Sequence, residues 1–278
     1  MLNWLFKNRG KKNAAGALTE EQKRLQERVD QYVWYHELEL EPGVRTKSEF
    51  GGYHDSWAFI KAALANVDFA GKRVLDVGCR DGMFSFEAER RGASEIDGID
   101  NDLSAGAVEL LIPHFNSRVK MRKLNLYQLN PTEQTPYDVI MFFGVLYHLR
   151  YPALGLRRLV DCLAMGGELL IESGMLIDTA ETETSELIYC PVENSPYEHT
   201  SCTFYNRRGL ETTLRWFGME LIEQRVQPGT ICKAKAGPFS VERRLLRFRK
   251  RALTEHETGI SLYWESTHSC HSVDARQN

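Results

Sequence analysis

The sequence lacks the cysteine spacing of a zinc site or of a disulfide framework. Its six cysteines are scattered over 278 residues, and no two of them form a C-x-x-C pair. Metal sites and small secreted scaffolds need cysteines at short, regular spacing, whereas scattered cysteines are typical of reduced thiols. We therefore predict no metal site and no disulfides, and we expect a cytoplasmic protein.

Signals for a membrane or for nucleic acid are also missing. No apolar run approaches the roughly 18 uninterrupted residues of a membrane span. The opening stretch MLNWLFKNRGKK carries its basic residues after its apolar ones, the reverse of a secretory signal. The formal net charge of −3 at pH 7 provides no overall attraction to nucleic acid. Ordinary fractions of apolar residues (42%) and charged residues (26%) indicate a folded globular protein.

From residue 72 onward, short apolar runs alternate with amphipathic stretches. This alternation predicts the α/β class, with a Rossmann-like, doubly wound, mainly parallel seven-stranded sheet and crossover helices. The predicted strands cover residues 73–77, 95–99, 119–123, 139–143, 168–172, 219–225 and 260–265. The predicted helices of this region cover residues 83–91, 104–112, 153–163 and 208–217.

The rest of the chain is divided by its composition. We expect a flexible leader at residues 1–18, an N-terminal helical cap at 19–71, a main domain at 72–266 and a tail at 267–278. The cap begins at Thr19, because Thr-Glu-Glu-Gln has the form of a helix capping box. A late basic insertion is predicted at about residues 227–258.

The predicted insertion contains a basic segment, VERRLLRFRKR at residues 241–251, which we interpret as an amphipathic helix. Three interpretations of this helix stay open: a face exposed to solvent, a membrane surface or a partner; a site for an anionic small substrate; or a contact with RNA phosphates. We rank them in that order.

A glycine turn follows the first predicted strand, with the sequence GCRDG at residues 78–82. Such a turn at the carboxyl end of a first strand binds nucleotide-like ligands in open α/β sheets. The turn lacks the G-x-G-x-x-G fingerprint, because Arg80 and Met83 occupy two of the glycine positions, and no Gly-Lys-Ser/Thr phosphate loop is present. The sequence therefore disfavours NAD and nucleoside triphosphates.

Two acidic residues, Asp76 and Asp100, lie at the ends of neighbouring predicted strands. A carboxylate at the end of the second strand can accept hydrogen bonds from both hydroxyls of a ribose. Without a phosphate-binding feature, this pair predicts a nucleoside with a positively charged tail, S-adenosylmethionine. A helix N-cap remains the structural alternative for either acid.

These segments resemble the class I S-adenosylmethionine-dependent methyltransferases. LDVG at 75–78 and GID at 98–100 match the first two motifs of that family. DGMFSFEAERRGA at 81–93, and GVLYHL at 144–149 with Pro152 following, resemble the branch of the tRNA wobble-uridine (5-carboxymethoxyuridine) transferases. The resemblance covers about residues 32–226 and implies the fold and the cofactor of the family.

The resemblance also implies a set of cofactor-binding residues. They are Asp76, Gly78, Arg80, Gly82, Asp100, Asn101, Asn125, Leu126 and Phe143. In this family Asp76 and the two glycines surround the methionine end of the cofactor, and Asp100 holds the ribose. Asn125 falls where the family has an acid that receives the adenine amino group, and an asparagine carbonyl can accept the same bond. Arg80 departs from the usual glycine, and its guanidinium either points to solvent or reaches a carboxylate.

Tyr147 and His148 are the candidate catalytic residues, because they follow the predicted fourth strand. Methyl transfer is an in-line displacement in which alignment and exclusion of water do most of the catalysis. His148, with an ordinary pKa of about 6.5, could take a proton from the acceptor. The alternative, slightly favoured, is a structural histidine bonded to the backbone. Tyr147 either packs in the core or bounds the methyl pocket.

Candidate substrate contacts come from two other regions: Tyr35, His36, Lys47, Tyr197 and His199. The aromatic cluster of residues 34–57 is either a lid over the acceptor or a core patch beneath the cap. The polar loop at 193–199 either faces substrate or is a solvated connection.

We predict an enzyme that transfers a methyl group from S-adenosylmethionine to an oxygen or nitrogen of a small metabolite. This metabolite can be an anion. One alternative is a tRNA wobble-uridine methyl or carboxymethyl transferase, and another is a non-catalytic binding module with the same fold. In the tRNA relatives a carboxylated donor requires cations beside the equivalent of Tyr147. Arg45, Lys47, Arg80 and the arginines of the basic segment are candidates, but none aligns with those relatives, so ordinary methyl transfer is favoured.

Overall fold

The computed structural model describes residues 17–51, 53–177, 179, 184–191, 200–233 and 239–265. The chain separates into two compact units. Unit 1 comprises Met1–Leu129 with Tyr137–Phe143, and unit 2 comprises Asn130–Pro136 with Gly144–Asn278. None of the helices in the described ranges has the length and apolarity of a membrane-crossing segment.

Unit 1 begins with the helical cap. Its elements are α1 (Glu20–Val29), β1 (Glu39–Glu41), β2 (Val44–Arg45) and α2 (His54–Leu64). The predicted capping box is present, since the Gln22 N–H donates to Thr19 Oγ1 at 3.2 Å and the Thr19 N–H donates to Gln22 Oε1 at 3.0 Å. Leu25 and Val29 bury one face of α1, as their helical spacing predicts.

The rest of unit 1 is a parallel sheet with its crossovers. Its elements are β3 (Arg73–Val77), α3 (Met83–Arg90), β4 (Glu95–Asp100), a π-helical turn (Ala107–Leu111), α4 (Ile112–Phe115), β5 (Lys120–Lys123) and β6 (Tyr137–Phe143). Val74 of β3 lies opposite Ile96 of β4 on one side and Val139 of β6 on the other, and all three are buried. Because these strands are parallel, their carboxyl ends meet at one edge of the sheet.

Unit 2 holds the remaining elements. They are α5 (Pro152–Asp161), β7 (Leu163–Leu176), β8 (Ile188–Tyr189), β9 (Phe204–Tyr205), α6 (Arg207–Trp216), β10 (Met219–Lys233), β11 (Ser240–Lys250) and α7 (Glu255–Glu265). β11 is antiparallel to both β7 and β10. The seven long strands follow the order β10-β11-β7-β6-β3-β4-β5, which confirms the predicted doubly wound sheet.

Two predictions near the carboxyl end were wrong. The basic segment 241–251 is not a helix, because residues 240–250 form the buried strand β11 between β10 and β7. Residues 260–265, predicted as the seventh strand, belong to α7 instead. The arginines of the segment resembled one polar helix face, but Arg243 and Arg247 pair with Glu172 and Glu168 of the neighbouring β7. Local periodicity cannot detect such partners.

The predicted helix at 104–112 is also irregular. It forms the π-helical turn, followed by α4. Pro113 lacks the N–H of a regular α-helical bond, which explains why the hydrogen bonding shifts here. The leader and tail predictions, and the candidate contacts Tyr197 and His199, fall mainly or entirely outside the described residues.

Candidate active site

The turn between β3 and α3 has a strained backbone. Gly78 and Gly82 have φ values of +79° and +82°, and Arg80 has a φ of +47°. A left-handed conformation costs an L-residue about 1–2 kcal/mol, so Arg80 needs compensating contacts. Its N–H donates to Asp100 Oδ2 at 2.9 Å, and its Nη1 donates to the Asp102 carbonyl at 2.5 Å, beside an ion pair with the Asp102 carboxylate. The guanidinium of Arg80 therefore reaches a carboxylate at the end of β4.

Asp100 connects this turn to the end of β4. Its Oδ2 accepts the Arg80 N–H, and its Oδ1 accepts the Asp102 N–H at 2.7 Å. A carboxylate oxygen has two lone pairs, so each oxygen retains one for another donor such as a ribose hydroxyl. The side chain is half-buried, and the neighbouring Asn101 is exposed.

Asp76 is almost fully buried and faces helix α3. It accepts the Ser85 hydroxyl at 2.6 Å, and burial raises the pKa of Asp76 to about 7, with Asp100 adding to the rise and the Ser85 bonds opposing it. Ser85 is in the first turn of α3. Asp76 thus bonds to the first turn of α3, but the N-cap of that helix is Gly82, and the cofactor role of Asp76 stays a prediction.

Asp81 was not among the predicted candidate residues, but its surroundings make it one. Its side chain is fully buried, and its Oδ2 accepts the backbone N–H groups of Tyr35 at 2.6 Å and His36 at 2.7 Å. Its Oδ1 is buried and has no hydrogen-bond donor among the described residues. The only sign of this role in the sequence was a carboxylate inside a glycine turn. The backbone groups that donate to Asp81 lie about 45 residues earlier in the chain.

The remaining cofactor candidates lie where the parallel strands of unit 1 end. Asn125 Oδ1 accepts the Tyr127 N–H at 2.9 Å, and the Asn125 side chain forms a capping box with Gln128 at the short turn Leu126–Gln128. Phe143 ends β6 and packs edge-on against Phe84, with 5.1 Å between ring centres.

The aromatic cluster of the cap is partly core and partly surface. His36 and Trp57 are buried, with 5.3 Å between their ring centres. Tyr35 and Tyr53 are half-buried and stack at 5.7 Å. Lys47 is exposed on the chain after β2. The buried part of the cluster matches the core-patch interpretation, and the lid over the acceptor stays a prediction.

In unit 2, Tyr147 lies beside a buried ion pair. Arg243 of β11 donates to Glu172 of β7 through Nε at 2.5 Å and Nη2 at 2.6 Å. Arg243 Nη1 is 3.5 Å from the Tyr147 hydroxyl. The sequence analysis missed this arrangement, because Arg243 was placed on a surface helix and Glu172 lies 71 residues away in the chain.

His148 is exposed at the end of the short turn Leu146–His148, and its Nδ1 is 3.3 Å from the Thr200 carbonyl oxygen. This geometry matches a histidine bonded to the backbone. With the proton placed on Nδ1, Nε2 is the basic nitrogen.

The basic segment is not a surface stripe. Arg243, Arg244 and Arg247 lie on β11 with their side chains at least 86% buried, paired with Glu172, Glu242 and Glu168 respectively. Phosphate contacts require accessible cations, so these residues do not support an RNA interface at 243–251. In the described ranges, no group of three or more His, Cys, Asp or Glu residues could hold a metal ion.

Comparisons with known proteins agree with this fold and turn. A family model described as a methyltransferase domain matches residues 53–224, more than half of the chain. The chain therefore belongs to the methyltransferase-domain family.

Individual relatives cover only parts of the proteins compared. The chain is 36% identical over 118 residues to a tRNA U34 carboxymethyltransferase of Methylococcus capsulatus, covering 42% of this chain and 36% of the relative. It is 31% identical over 147 residues to the protein of that name from Pseudomonas paraeruginosa, covering 50% and 42%. The chain thus spans less than half of these curated relatives. The N-terminal domain of EvdMO1, crystallised in the presence of SAH and D-fucose, shares the fold at 18% identity, with a TM-score of 0.59 and coverage of 85% and 100%.

The polar groups around the turn fit S-adenosylmethionine. The buried Asp81 Oδ1 lacks a donor, and an ammonium group such as that of the methionine tail would supply one. Each carboxylate oxygen of Asp100 retains an acceptor lone pair for a ribose hydroxyl.

Proposed function

We propose that this methyltransferase moves a methyl group from S-adenosylmethionine to an oxygen or nitrogen of a small metabolite. The observation that carries the proposal is the neutralisation of the Arg243 charge by Glu172. Its guanidinium is only 6% exposed and makes two hydrogen bonds to the fully buried Glu172. A carboxylated donor would bring a further negative charge beside Tyr147 and leave one buried charge without compensation, which is costly.

The bound cofactor supplies an electrophilic methyl group on a sulfonium, and the protein then has to position and shield it. In this proposal Asp100 holds the ribose, Asp81 receives the ammonium and Asn125 receives the adenine amino group. Gly78, Gly82, Arg80, Asn101, Leu126 and Phe143 complete the surroundings of the cofactor. Tyr147 and His148 stay the candidate catalytic residues.

The experiment uses the purified protein and S-adenosylmethionine labelled in its methyl group. The label is offered to two pools from a cell extract, a small-molecule filtrate and total tRNA. We expect label in the filtrate and none in the tRNA. Asp100→Asn serves as the variant with weakened donor binding and should label the filtrate poorly.

The alternative is a tRNA wobble-uridine carboxymethyl transferase. It is favoured by the names of the relatives and by the position of Arg243 at 3.5 Å from the Tyr147 hydroxyl. Calorimetry with S-adenosylmethionine and its carboxylated form separates the two functions. Tighter binding of the carboxylated donor, together with modification of tRNA, would replace our proposal by this one. Donor binding without transfer to either pool would indicate a binding module.

A further inference from the structure

A buried histidine and carboxylate pair joins the cap to the glycine turn at residues 78–82 of unit 1, which we call the cofactor turn. His36 Nδ1 lies 3.4 Å from Asp81 Oδ2, and both side chains are at least 95% buried. The same Oδ2 accepts the backbone N–H groups of Tyr35 and His36. The carboxylate therefore fixes both the backbone that carries the imidazole and the side of the ring that faces the turn.

Aromatic rings of α2 and α3 also pack against the imidazole. The His36 ring centre lies 5.3 Å from Trp57 of α2 and 5.8 Å from Phe84 of α3. Phe84 is the second residue of α3 and follows the turn directly. The imidazole is thus packed at the start of the helix that the cofactor turn leads into.

The nitrogen atoms of His36 have different environments. Nδ1 is buried, and among the described residues no group satisfies hydrogen-bond geometry with it; the nearest acceptor given is Asp81 Oδ2. A carboxylate beside Nδ1 favours the tautomer with its proton on that nitrogen, which leaves Nε2 with a lone pair. Catalytic hydrogen bonds are often long before the substrate binds, and a contact of 3.4 Å is within that pattern.

Burial is the main reason that the His36 ring is neutral. Burial lowers the pKa of His36, and the cations Lys61 of α2 and Arg80 of the turn lower it further, while Asp81 opposes them. The net direction is downward from the ordinary value. His36 is therefore unprotonated at neutral pH, the state in which an imidazole can accept a proton.

We propose that His36, positioned by Asp81, is the group that takes the proton from the methyl acceptor. This proposal rests on the proposed transfer to oxygen or nitrogen. As the acceptor atom forms its bond to the methyl carbon, the carbon–sulfur bond breaks and its electron pair stays on sulfur. The proton of the acceptor passes to His36 Nε2, and the imidazolium then releases it to solvent.

The first test compares methyl transfer to the small-molecule filtrate by wild type, His36→Asn and a control, His54→Asn. His54 also contacts Trp57 but is 59% exposed. A lost general base lowers kcat by about 100- to 10,000-fold. We expect that loss for His36→Asn, with unchanged calorimetric affinity for S-adenosylmethionine, and near-normal kcat for His54→Asn.

The pH profile tests the role of the imidazole more directly. The wild-type rate should fall as pH decreases through the pKa of His36, below the ordinary histidine value of about 6.5, and His36→Asn should lack this limb. A variant that keeps more than half of the wild-type kcat, or the same acid limb, would overturn the proposal. A lower affinity for S-adenosylmethionine at unchanged kcat would assign His36 to cofactor binding and also overturn it.

The second test does not depend on activity. In nitrogen-resolved NMR spectra of histidine-labelled protein, the resonance missing from His36→Asn identifies this ring. We expect a neutral ring with its proton on Nδ1, and a proton on Nε2 would refute the proposed role. Wild-type protein that labels neither pool refutes the proposed function instead, and the spectra still decide which nitrogen of His36 is basic.

Discussion

The buried pair of Arg243 and Glu172 should make β11 highly sensitive to substitution. Both side chains are at least 94% buried, and two short charged hydrogen bonds join them. Removing one partner of such a pair leaves an uncompensated buried charge and costs about 3–5 kcal/mol. A typical domain has about 5–15 kcal/mol of stability in total, so Arg243→Met or Glu172→Gln should remove a large part of it.

Urea denaturation followed by circular dichroism measures this effect as a shift of the midpoint at unchanged slope. The double variant Glu172→Leu with Arg243→Met removes both charges, and we expect it to recover most of the loss. The difference between the single and double variants gives the coupling energy of the pair.

Arg249→Met is the matched control on the same strand. Arg249 is 52% exposed and pairs with Glu168 at 2.9 Å. Exposed pairs contribute about 0–1 kcal/mol, so this variant should be nearly as stable as wild type. A loss of less than about 1 kcal/mol in the free energy of unfolding for Arg243→Met, or an equal loss for the two arginine variants, would refute the buried pairing and favour the surface helix predicted for residues 241–251.

Three further predictions concern the cofactor turn. Burial raises the pKa of Asp76 from 3.8 to about 7, so the protonated Asp76 stabilises the fold fully below about pH 4, and this stabilisation is lost as pH rises to 7, a change of roughly 4 kcal/mol. The free energy of unfolding of Asp76→Asn, measured in urea, should therefore rise relative to wild type between those pH values. The same pH dependence in both proteins would contradict this. Asp100→Asn should weaken S-adenosylmethionine binding about 10- to 100-fold in calorimetry while the fold is kept, since hydrogen bonds to charged groups contribute about 1.5–3 kcal/mol; unchanged affinity would exclude the ribose role. Gly82→Ala should lower the free energy of unfolding in urea by about 2 kcal/mol, because the φ of residue 82 is +82° and the new Cβ would lie 2.1 Å from Met121 Cε. Adding Met121→Ala should recover only the part of this loss that comes from the clash with Met121, and full recovery would show that backbone strain is negligible.

Much of the fold was predictable because it is encoded in contiguous residues. The capping box at Thr19, the apolar runs of β3 and β4, and the glycine turn at 78–82 each specify local geometry through short-range sterics and hydrogen bonding. The structure has these elements within one or two residues of the predicted bounds. The methyltransferase class followed from the same short segments.

The predictions failed where the partner of a residue is distant in the chain. β11 has the arginine spacing of a helix, but its length is matched to β7 and β10, and antiparallel pairing overrides local periodicity. Sequence periodicity describes one element at a time and contains no information about which carboxylates a neighbouring strand presents.

The sequence by itself therefore determined the class of protein, the parallel sheet and the position of the cofactor turn, because these depend on neighbouring residues. Only the tertiary structure decided the environment of the charged groups. It buries Arg243 against Glu172, 71 residues away, and holds the backbone of His36 with Asp81, 45 residues away. The charge state and reactivity of an ionisable group depend on burial and on its partners in space, and both are set when distant segments pack together.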